Sequence, residues 1–574
     1  MDERKLTAIL KQEGEIVTEH LDHWAAVAGD RVFVYYGEDD EALTFAEFAR
    51  RADAVAGNLA RLGIRKGDRI SVFCKNAFVS TLMMFGIWKA GAVYCPINFA
   101  YTGRLLTYQL NDTSPKLVVT DAACLPTLNE VIDDVGSKPP IVLYAPPPGA
   151  HDHVAAPPAI RPDHAEIAWS DLTRDAKAPE VSVSFDDDAS LFYTSGTTGP
   201  SKGVLQPYRY MANYTFGLRG LTSQDDVIYN DLPMYHVGGA IVNVCRAVWV
   251  GCEVAIWNRF SPEKFWDRIK ARNVTSAILL DVMVPWLTKV PPSENDRRNT
   301  LNKVHLQPLP LQHREFATRF GIDFVSAGFG QTETGNSFFI MLEETKQGEG
   351  TPADLYRGFS HDEMTELAAR RGLALQPGGE AVRKGLMGIS TPFVEISVRD
   401  DLDEECPDDV VGHLAVRPRL PGIIFKSYLG KPEDTLKAFR NLWFHTGDAG
   451  LRGHDGMYYY VDRLGDRIRV RGENLSSFQV EDMINQHPGV RMTAAVAIPS
   501  DEGDEDQVAA FVVATSDGSV TEAEIHAFAA ETMPKYMRPS HVRIVNDLPR
   551  TPTNKVEKYK LRQLILEELK ASGA

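Results

Sequence analysis

The stretch Thr194-Ser195-Gly196-Thr197-Thr198-Gly199-Pro200-Ser201-Lys202-Gly203 packs three glycines, a run of hydroxyls and one lysine into ten residues. Glycines let a backbone turn tightly and come close to an anion. Main-chain N–H groups, hydroxyls and an ammonium are the donors that cradle a polyphosphate. A flexible Ser/Gly loop would share this composition. The lysine, set just past the apolar run Leu191-Phe192-Tyr193, favours the phosphate reading. The stretch is not a Walker A loop. Ser201 stands where that pattern needs its second glycine and Gly203 where it needs a hydroxyl, which disfavours a kinase or P-loop ATPase.

Three further stretches carry chemistry. Phe324-Val325-Ser326-Ala327-Gly328-Phe329-Gly330-Gln331-Thr332-Glu333 reads as a strand running into glycines that admit a ligand. There Phe329 can stack on a base, Thr332 can meet a phosphate, and Glu333 can hold Mg²⁺. Trp443-Phe444-His445-Thr446-Gly447-Asp448 puts a carboxylate on a tight turn, suited to a bidentate hold on ribose hydroxyls or to capping the turn. Pro233-Met234-Tyr235-His236-Val237-Gly238-Gly239 offers His236, either a ligand-facing imidazole or a structural one.

With these residues in order, the chain resembles the AMP-forming acyl/aryl-CoA synthetases, the adenylate-forming enzymes that include luciferase and the adenylation domains of peptide synthetases. The resemblance spans about residues 20–565. It implies that Thr194, Ser195, Gly196, Thr197, Thr198, Gly199 and Lys202 bind the ATP phosphates, and that Gly328, Phe329, Gly330 and Gln331 line the nucleotide. Thr332 then meets the α-phosphate region and Glu333 the Mg²⁺. Asp448 binds ribose and Arg463, in Tyr460-Val461-Asp462-Arg463, contacts ribose and phosphate. Gly465 takes the hinge position, and Arg471-Gly472-Glu473 resembles the loop that lines the pantetheine tunnel of coenzyme A. The tail Pro549-Arg550-Thr551-Pro552-Thr553-Asn554-Lys555 makes Lys555 the catalytic lysine, with Asn554, which also accepts left-handed backbone, in place of glycine. Lys555 in isolation would pass for a surface lysine. His236 falls beside the acyl and pantetheine pockets, and the segment from Ser276 to Leu287 borders the acyl pocket. There Asp281 or Trp286 could meet a cationic substrate, although Asp281 also suits a helix cap.

The sequence departs from the family twice. His305-Leu306-Gln307-Pro308-Leu309-Pro310 replaces the small Gly/Ala-rich segment that lines adenine, so those contacts do not carry over. Extra residues separate Glu333 from the Gly385-Leu386-Met387-Gly388 turn, with a helix expected from Ser360 to Arg371. A loop this long suggests a lid or partner surface near the acyl entrance. Within the family, the missing Gly-rich segment and the run Val290-Pro291-Pro292-Ser293-Glu294-Asn295-Asp296 are most similar to bacterial carnitine/crotonobetaine-type CoA ligases.

These motifs need a scaffold. The chain's 574 residues exceed one core. Thr44-x-x-Glu47 is a capping box opening a helix closed by Gly63. Strands at Ile70–Phe73, Ala92–Pro96, Leu117–Thr120 and Ile141–Tyr144 alternate with helices, which implies parallel sheet. The expectation is an α/β fold: a large N-terminal domain, 1–464, of mixed, mostly parallel sheets with flanking helices, and a smaller α+β C-terminal domain, 465–574, on a hinge. A net charge of −17 disfavours nucleic acid as a partner. The most apolar stretch, Ala240 to Trp257, is broken by Arg246 and Glu253, which argues for core rather than a membrane span. The six cysteines show no C-x-x-C pair and read as reduced thiols of a cytoplasmic protein. Neither a secretory pattern at Met1-Asp2-Glu3-Arg4-Lys5 nor a peroxisomal address at Ala571-Ser572-Gly573-Ala574 is present.

The expected reaction joins a small carboxylic acid to coenzyme A at the cost of ATP, with Mg²⁺ as cofactor. A homodimer is compatible with this reading. One alternative is an adenylating enzyme that loads a carrier-protein thiol. Another is a non-catalytic nucleotide-binding protein, against which Glu333, Asp448, Arg463 and Lys555 all stand.

Overall fold

The computed structural model describes residues 2–194, 201–281, 283–378, 382–463, 467–470, 473–499, 506–515, 519–533, 535–550 and 556–572. At 462, 463, 467, 469, 473–476, 479, 536, 571 and 572 only the main chain is described.

Two large sheets dominate the described residues. One sheet has a parallel series Glu166–Ala168, Ile141–Tyr144, Leu117–Asp121, Arg69–Phe73, Val93–Pro96, Asp188–Thr194. It finishes with two antiparallel strands, Lys202–Pro207 and Ser427–Tyr428. The other has a parallel centre formed by Val32–Tyr36, Glu253–Ile256, Val227–Asn230, Ser276–Leu280, Lys303–Gln307 and Phe324–Gln331. Beyond Phe324–Gln331 it turns antiparallel through Gly335–Glu343, Leu386–Ser390, Tyr458–Arg463 and Trp443–Arg452. A smaller α+β part follows, with Val490–Pro499, Asp506–Ala514 and His541–Ile544 in one sheet and the helices Glu522–Thr532 and Lys558–Ser572.

Local chemistry explains the elements. Thr44 and Glu47 exchange both capping-box hydrogen bonds at the head of the helix Phe45–Arg61, which packs on the helix Ala77–Lys89. The latter is buried nearly all round, so it must lie between layers rather than at a surface. Ser360 and Glu363 make the same reciprocal pair for the helix His361–Arg371.

The extra segment after Glu333 is no open loop. Its helix buries His361, Met364 and Ala368, and Ala374–Pro377 adds a parallel strand to Gly335–Glu343. The expected core character of Ala240–Trp257 is realised as a buried π-helix, Gly238–Cys245, running into Arg246–Val250. Among the described residues no helix is long and apolar enough to cross a membrane.

Candidate active site

The strand Phe324–Gln331 ends in a turn, Thr332–Thr334, that three separate regions pin. Gln206 Nε2 donates to the Thr332 carbonyl at 2.7 Å, the Phe425 N–H donates to the Glu333 carbonyl at 2.8 Å, and the Tyr210 hydroxyl reaches the Gln331 carbonyl at 3.4 Å. The turn's backbone is therefore fixed from the Lys202–Pro207 strand, the helix that follows it, and the segment before Ser427–Tyr428.

Side chains converge at the same place. The Tyr428 hydroxyl donates to Glu333 Oε1 at 3.1 Å. Lys202 Nζ lies 4.9 Å from the centre of the Tyr428 ring and 3.3 Å from Asp434 Oδ2. Burial and the Glu333 carboxylate push the Tyr428 phenol up, so its hydroxyl stays a donor. The lysine of the Gly/Thr-rich stretch and the carboxylate of the second stretch thus flank one aromatic ring. Thr194 pairs in register with Lys202, so the residues between them connect two antiparallel strands. Ser195, Gly196, Thr197, Thr198 and Gly199 lie outside the described residues.

The third stretch joins through Gln331. Its Nε2 donates to the Thr446 carbonyl at 2.9 Å and to the Asp448 carboxylate. Asp448 is only 3 % exposed, and its N–H donates to Thr446 Oγ1 at 3.1 Å. Gly447 between them sits at φ +78°, backbone that a residue with a Cβ rarely adopts. Asp448 faces Arg463 across the ladder, which makes them cross-strand neighbours.

Phe329 is half-exposed; its ring stacks on Tyr460 with centroids 5.9 Å apart and meets the edge of Phe338 at 5.8 Å. Tyr460 was not singled out from the sequence as a stacking partner, and its ordinary strand context gave no signal. The glycines beside Phe329 have a requirement of their own. A Cβ on Gly328 would come within 2.4 Å of the Phe338 carbonyl oxygen, and one on Gly330 within 2.7 Å of Gly335 O. Close passage of the neighbouring strand, not only of a ligand, excludes side chains there.

His236 is half-buried at the head of the π-helix. Its Nδ1 accepts the Gly238 N–H at 3.1 Å, so a neutral ring carries its proton on Nε2. Trp286 stands 38 % exposed against Phe260, and Asp281 immediately precedes the turn into Met283–Thr288, where its carbonyl accepts from Val284. Asp231, missed in the sequence, is 3 % exposed near Tyr229 and Arg268, and burial pushes its pKa up to about 6. Thiol chemistry finds no support, since burial raises Cys74, Cys95, Cys124, Cys245 and Cys252.

Gly465, Arg471, Gly472 and Lys555 lie outside the described residues. Glu473 is described by its main chain alone, pairing with Val470 in a hairpin. Arg550 and Val556, on either side of Lys555 in sequence, form an isolated bridge. A single carboxylate such as Glu333, close to Lys202 of the Gly/Thr-rich stretch, is a hard oxygen donor of the kind that suits Mg²⁺. The residues present therefore fit that ion.

Comparison with known proteins matches the pattern of the AMP-binding enzyme family to residues 21–429 and that of the AMP-binding enzyme C-terminal domain to residues 479–555. A crotonobetaine/carnitine–CoA ligase of Salmonella agona (strain SL483) is 27 % identical, covering 96 % of this chain and 99 % of its own. ATP-bound MatB from Rhodopseudomonas palustris superposes with a TM-score of 0.75 at 22 % identity, over 96 % of this chain and 98 % of its own. The o-succinylbenzoate CoA synthetase MenE from Bacillus subtilis, in complex with its acyl-adenylate OSB-AMP, gives 0.73 at 22 % identity, over 95 % and 97 %.

Proposed function

The chain belongs to the AMP-binding enzyme family, a group of adenylate-forming acyl-CoA ligases, and from that premise we propose how its residues divide the reaction. A carboxylate attacks the α-phosphorus of ATP in line and pyrophosphate leaves. The thiol of coenzyme A then attacks the carbonyl of the acyl-adenylate and releases AMP.

The main support is the meeting of Lys202, Tyr428 and Glu333 with the Gln331–Asp448 pair. It gathers a cation, a hydroxyl and two carboxylates around one turn. In this reading Thr194 to Gly199 and Lys202 hold the departing phosphates, and Thr332 donates to the α-phosphate. Asp448 accepts from the ribose hydroxyls beside Arg463, and Phe329 stacks on the base. Glu333, oriented by Tyr428, would hold Mg²⁺, which when bound offsets negative charge on the phosphates. Lys555 supplies positive charge to the pentavalent phosphorus.

The second half-reaction needs Lys555 out and the thiol in. Rotation of 465–574 about Gly465 against 1–464 achieves both and brings Arg471, Gly472 and Glu473 to the coenzyme A path, with His236 between the acyl and thiol ends. We place the enzyme in the cytoplasm and admit a homodimer. Acids like carnitine and crotonobetaine, from the names of the sequence relatives, form the first class to examine. Acid-dependent exchange of labelled pyrophosphate into ATP, measured without coenzyme A, tests the first half-reaction. Exchange that needs the acid and Mg²⁺ supports the reading, and its absence with every acid tried rejects it.

A further inference from the structure

A strand buried on both faces of a parallel sheet normally reads as a continuous apolar run. Lys303-Val304-His305-Leu306-Gln307 alternates instead, although it lies at the centre of its sheet. Val304 and Leu306 join the apolar core on one face. Lys303 and His305 point to the other face, where they are 8 % and 5 % exposed. Register places Ser276 beside Lys303 and Ser326 beside His305, and both serines are also buried.

This polar face lines a cavity roofed by the helix Tyr208–Arg219 and its exit, by Arg246 at the end of the π-helix, and by Met364 of the inserted helix. Its free space is about 20 Å³, more than the roughly 10–15 Å³ that one water needs and enough for a small planar group. An end group reaches it, not the body of a substrate.

The charges do not cancel. Lys303 is matched by Asp226, with Nζ 2.7 Å from Oδ1, and Asp226 is also bound by Thr275 and the Ser223 N–H. His305 is held neutral, its pKa lowered by burial to about 4. Its Nδ1 lies 3.0 Å from Ser326 Oγ and its Nε2 3.2 Å from Gln307 Oε1, so the Nε2 proton goes to the amide oxygen and the serine donates to Nδ1. Arg246 is left over. It is 1 % exposed, donates to Asn243 Oδ1 at 3.3 Å, leaves Nε without a partner, and forms no ion pair among the described residues. Asp226 also acts on Arg246 through space, so two buried cations share one carboxylate, and a buried charge that is only partly compensated is unfavourable. Water could occupy a hydrogen-bonding position there but would not supply the missing charge.

The cavity also points toward the reaction. Phe324, Ser326 and Gly328 share one face of their strand, which ends at the nucleotide turn. Ser326 is three residues from Phe329, roughly 10 Å at strand rise. His236 stands two residues before the π-helix Gly238–Cys245 and Arg246 one residue after it, so one short helix links the two. Lys303, His305 and Gln307 form a polar track along the same direction, toward the strand ends where ligands of parallel sheets bind.

We propose that this cavity is the far end of the acid pocket and takes a second carboxylate of the substrate, so that the enzyme activates dicarboxylic acids. The inference rests on the ligase reading above. Its test compares kcat/KM for acid-dependent pyrophosphate exchange across dicarboxylates, monocarboxylates of matched length, and carnitine. Wild type should favour dicarboxylates over matched monocarboxylates by about tenfold or more, and Arg246→Met should reduce that ratio by about ten- to a hundredfold.

Arg246→Lys, which keeps the charge, should retain part of the preference, and it replaces Arg246→Met if that variant fails to fold. Dicarboxylates without nucleotide should also raise the wild-type Tm more than matched monocarboxylates do. Equal or better turnover of monocarboxylates or carnitine by wild type overturns the proposal and leaves the ligase intact. Stabilisation by chloride that depends on Arg246, with no effect on acid preference, assigns the cavity to an inorganic anion and also overturns it. Exchange with no acid at all removes the ligase reading itself.

Discussion

The two ends of the Phe324–Gln331 strand are built on different principles. At its C-terminal end the functional groups come from short contiguous stretches, and much of their placement is backbone: pinned carbonyls at Gln331, Thr332 and Glu333, a left-handed glycine at 447, and a ladder pairing of Asp448 with Arg463. At its N-terminal end the groups are single side chains from the helix Tyr208–Arg219 and its exit, from the residue just past the π-helix, from four strands and from an inserted helix. Nucleotide chemistry is the same for every acid, so it suits a fixed backbone cradle. On the proposed reading, acid choice varies and is written in isolated side chains that can change without moving the fold.

The sharpest way to break this comparison is at the nucleotide end. Lys555→Ala should lower acyl-adenylate formation by about 10³-fold or more, as loss of a preorganised charge does, while still transferring acyl from a supplied acyl-adenylate to coenzyme A. Equal loss of both half-reactions, followed by quenched flow, would rule out separate conformations for the two steps. Glu333→Gln should cost about 10²-fold in kcat for exchange, with every acid affected alike. Asp448→Asn should raise KM for ATP by about tenfold and leave the ranking of acids untouched. A variant at Asp448 that reorders the acids would erase the distinction between the two ends.

The smallest effect is in stability. His305 takes no proton in the folded protein until about pH 4, whereas the unfolded chain binds one near 6.5. The unfolded state therefore holds more protons between these values, and stability falls as pH drops from 6.5 toward 4, by up to about 3 kcal/mol from this group. Urea midpoints at pH 7 and pH 4.5 should lie closer together in His305→Gln than in wild type. An unchanged gap would mean that His305 is not held neutral.

This division also explains what could be read in the sequence. Capping boxes at Thr44 and Ser360 depend on local spacing, and both appear as read. Lys202, Glu333 and Asp448 could be singled out because each sits in a contiguous stretch that resembles the family's motifs, and the structure brings Lys202 and Glu333 to one ring and links Asp448 through Gln331. Tyr428, which ties Lys202 to Glu333, carries no such local signature. Arg246 reads only as an interruption of an apolar run, because its burial near a carboxylate already paired with Lys303 is a property of the packed core. The alternation at Lys303–Gln307 was visible, but its meaning required knowing that the strand is buried on both faces. The inserted segment was read as loop plus helix because a four-residue edge strand, Ala374–Pro377, takes its structure from the strand it joins.

The central claim is most directly tested by incubating the purified protein with ATP, Mg²⁺, coenzyme A and a panel of mono-, di- and cationic carboxylic acids, and following nucleotide and thioester by mass spectrometry. AMP and acyl-CoA formed in equal amounts, only with acid present, is the predicted result. ADP in place of AMP, or AMP with no acyl-CoA from any acid, would contradict it.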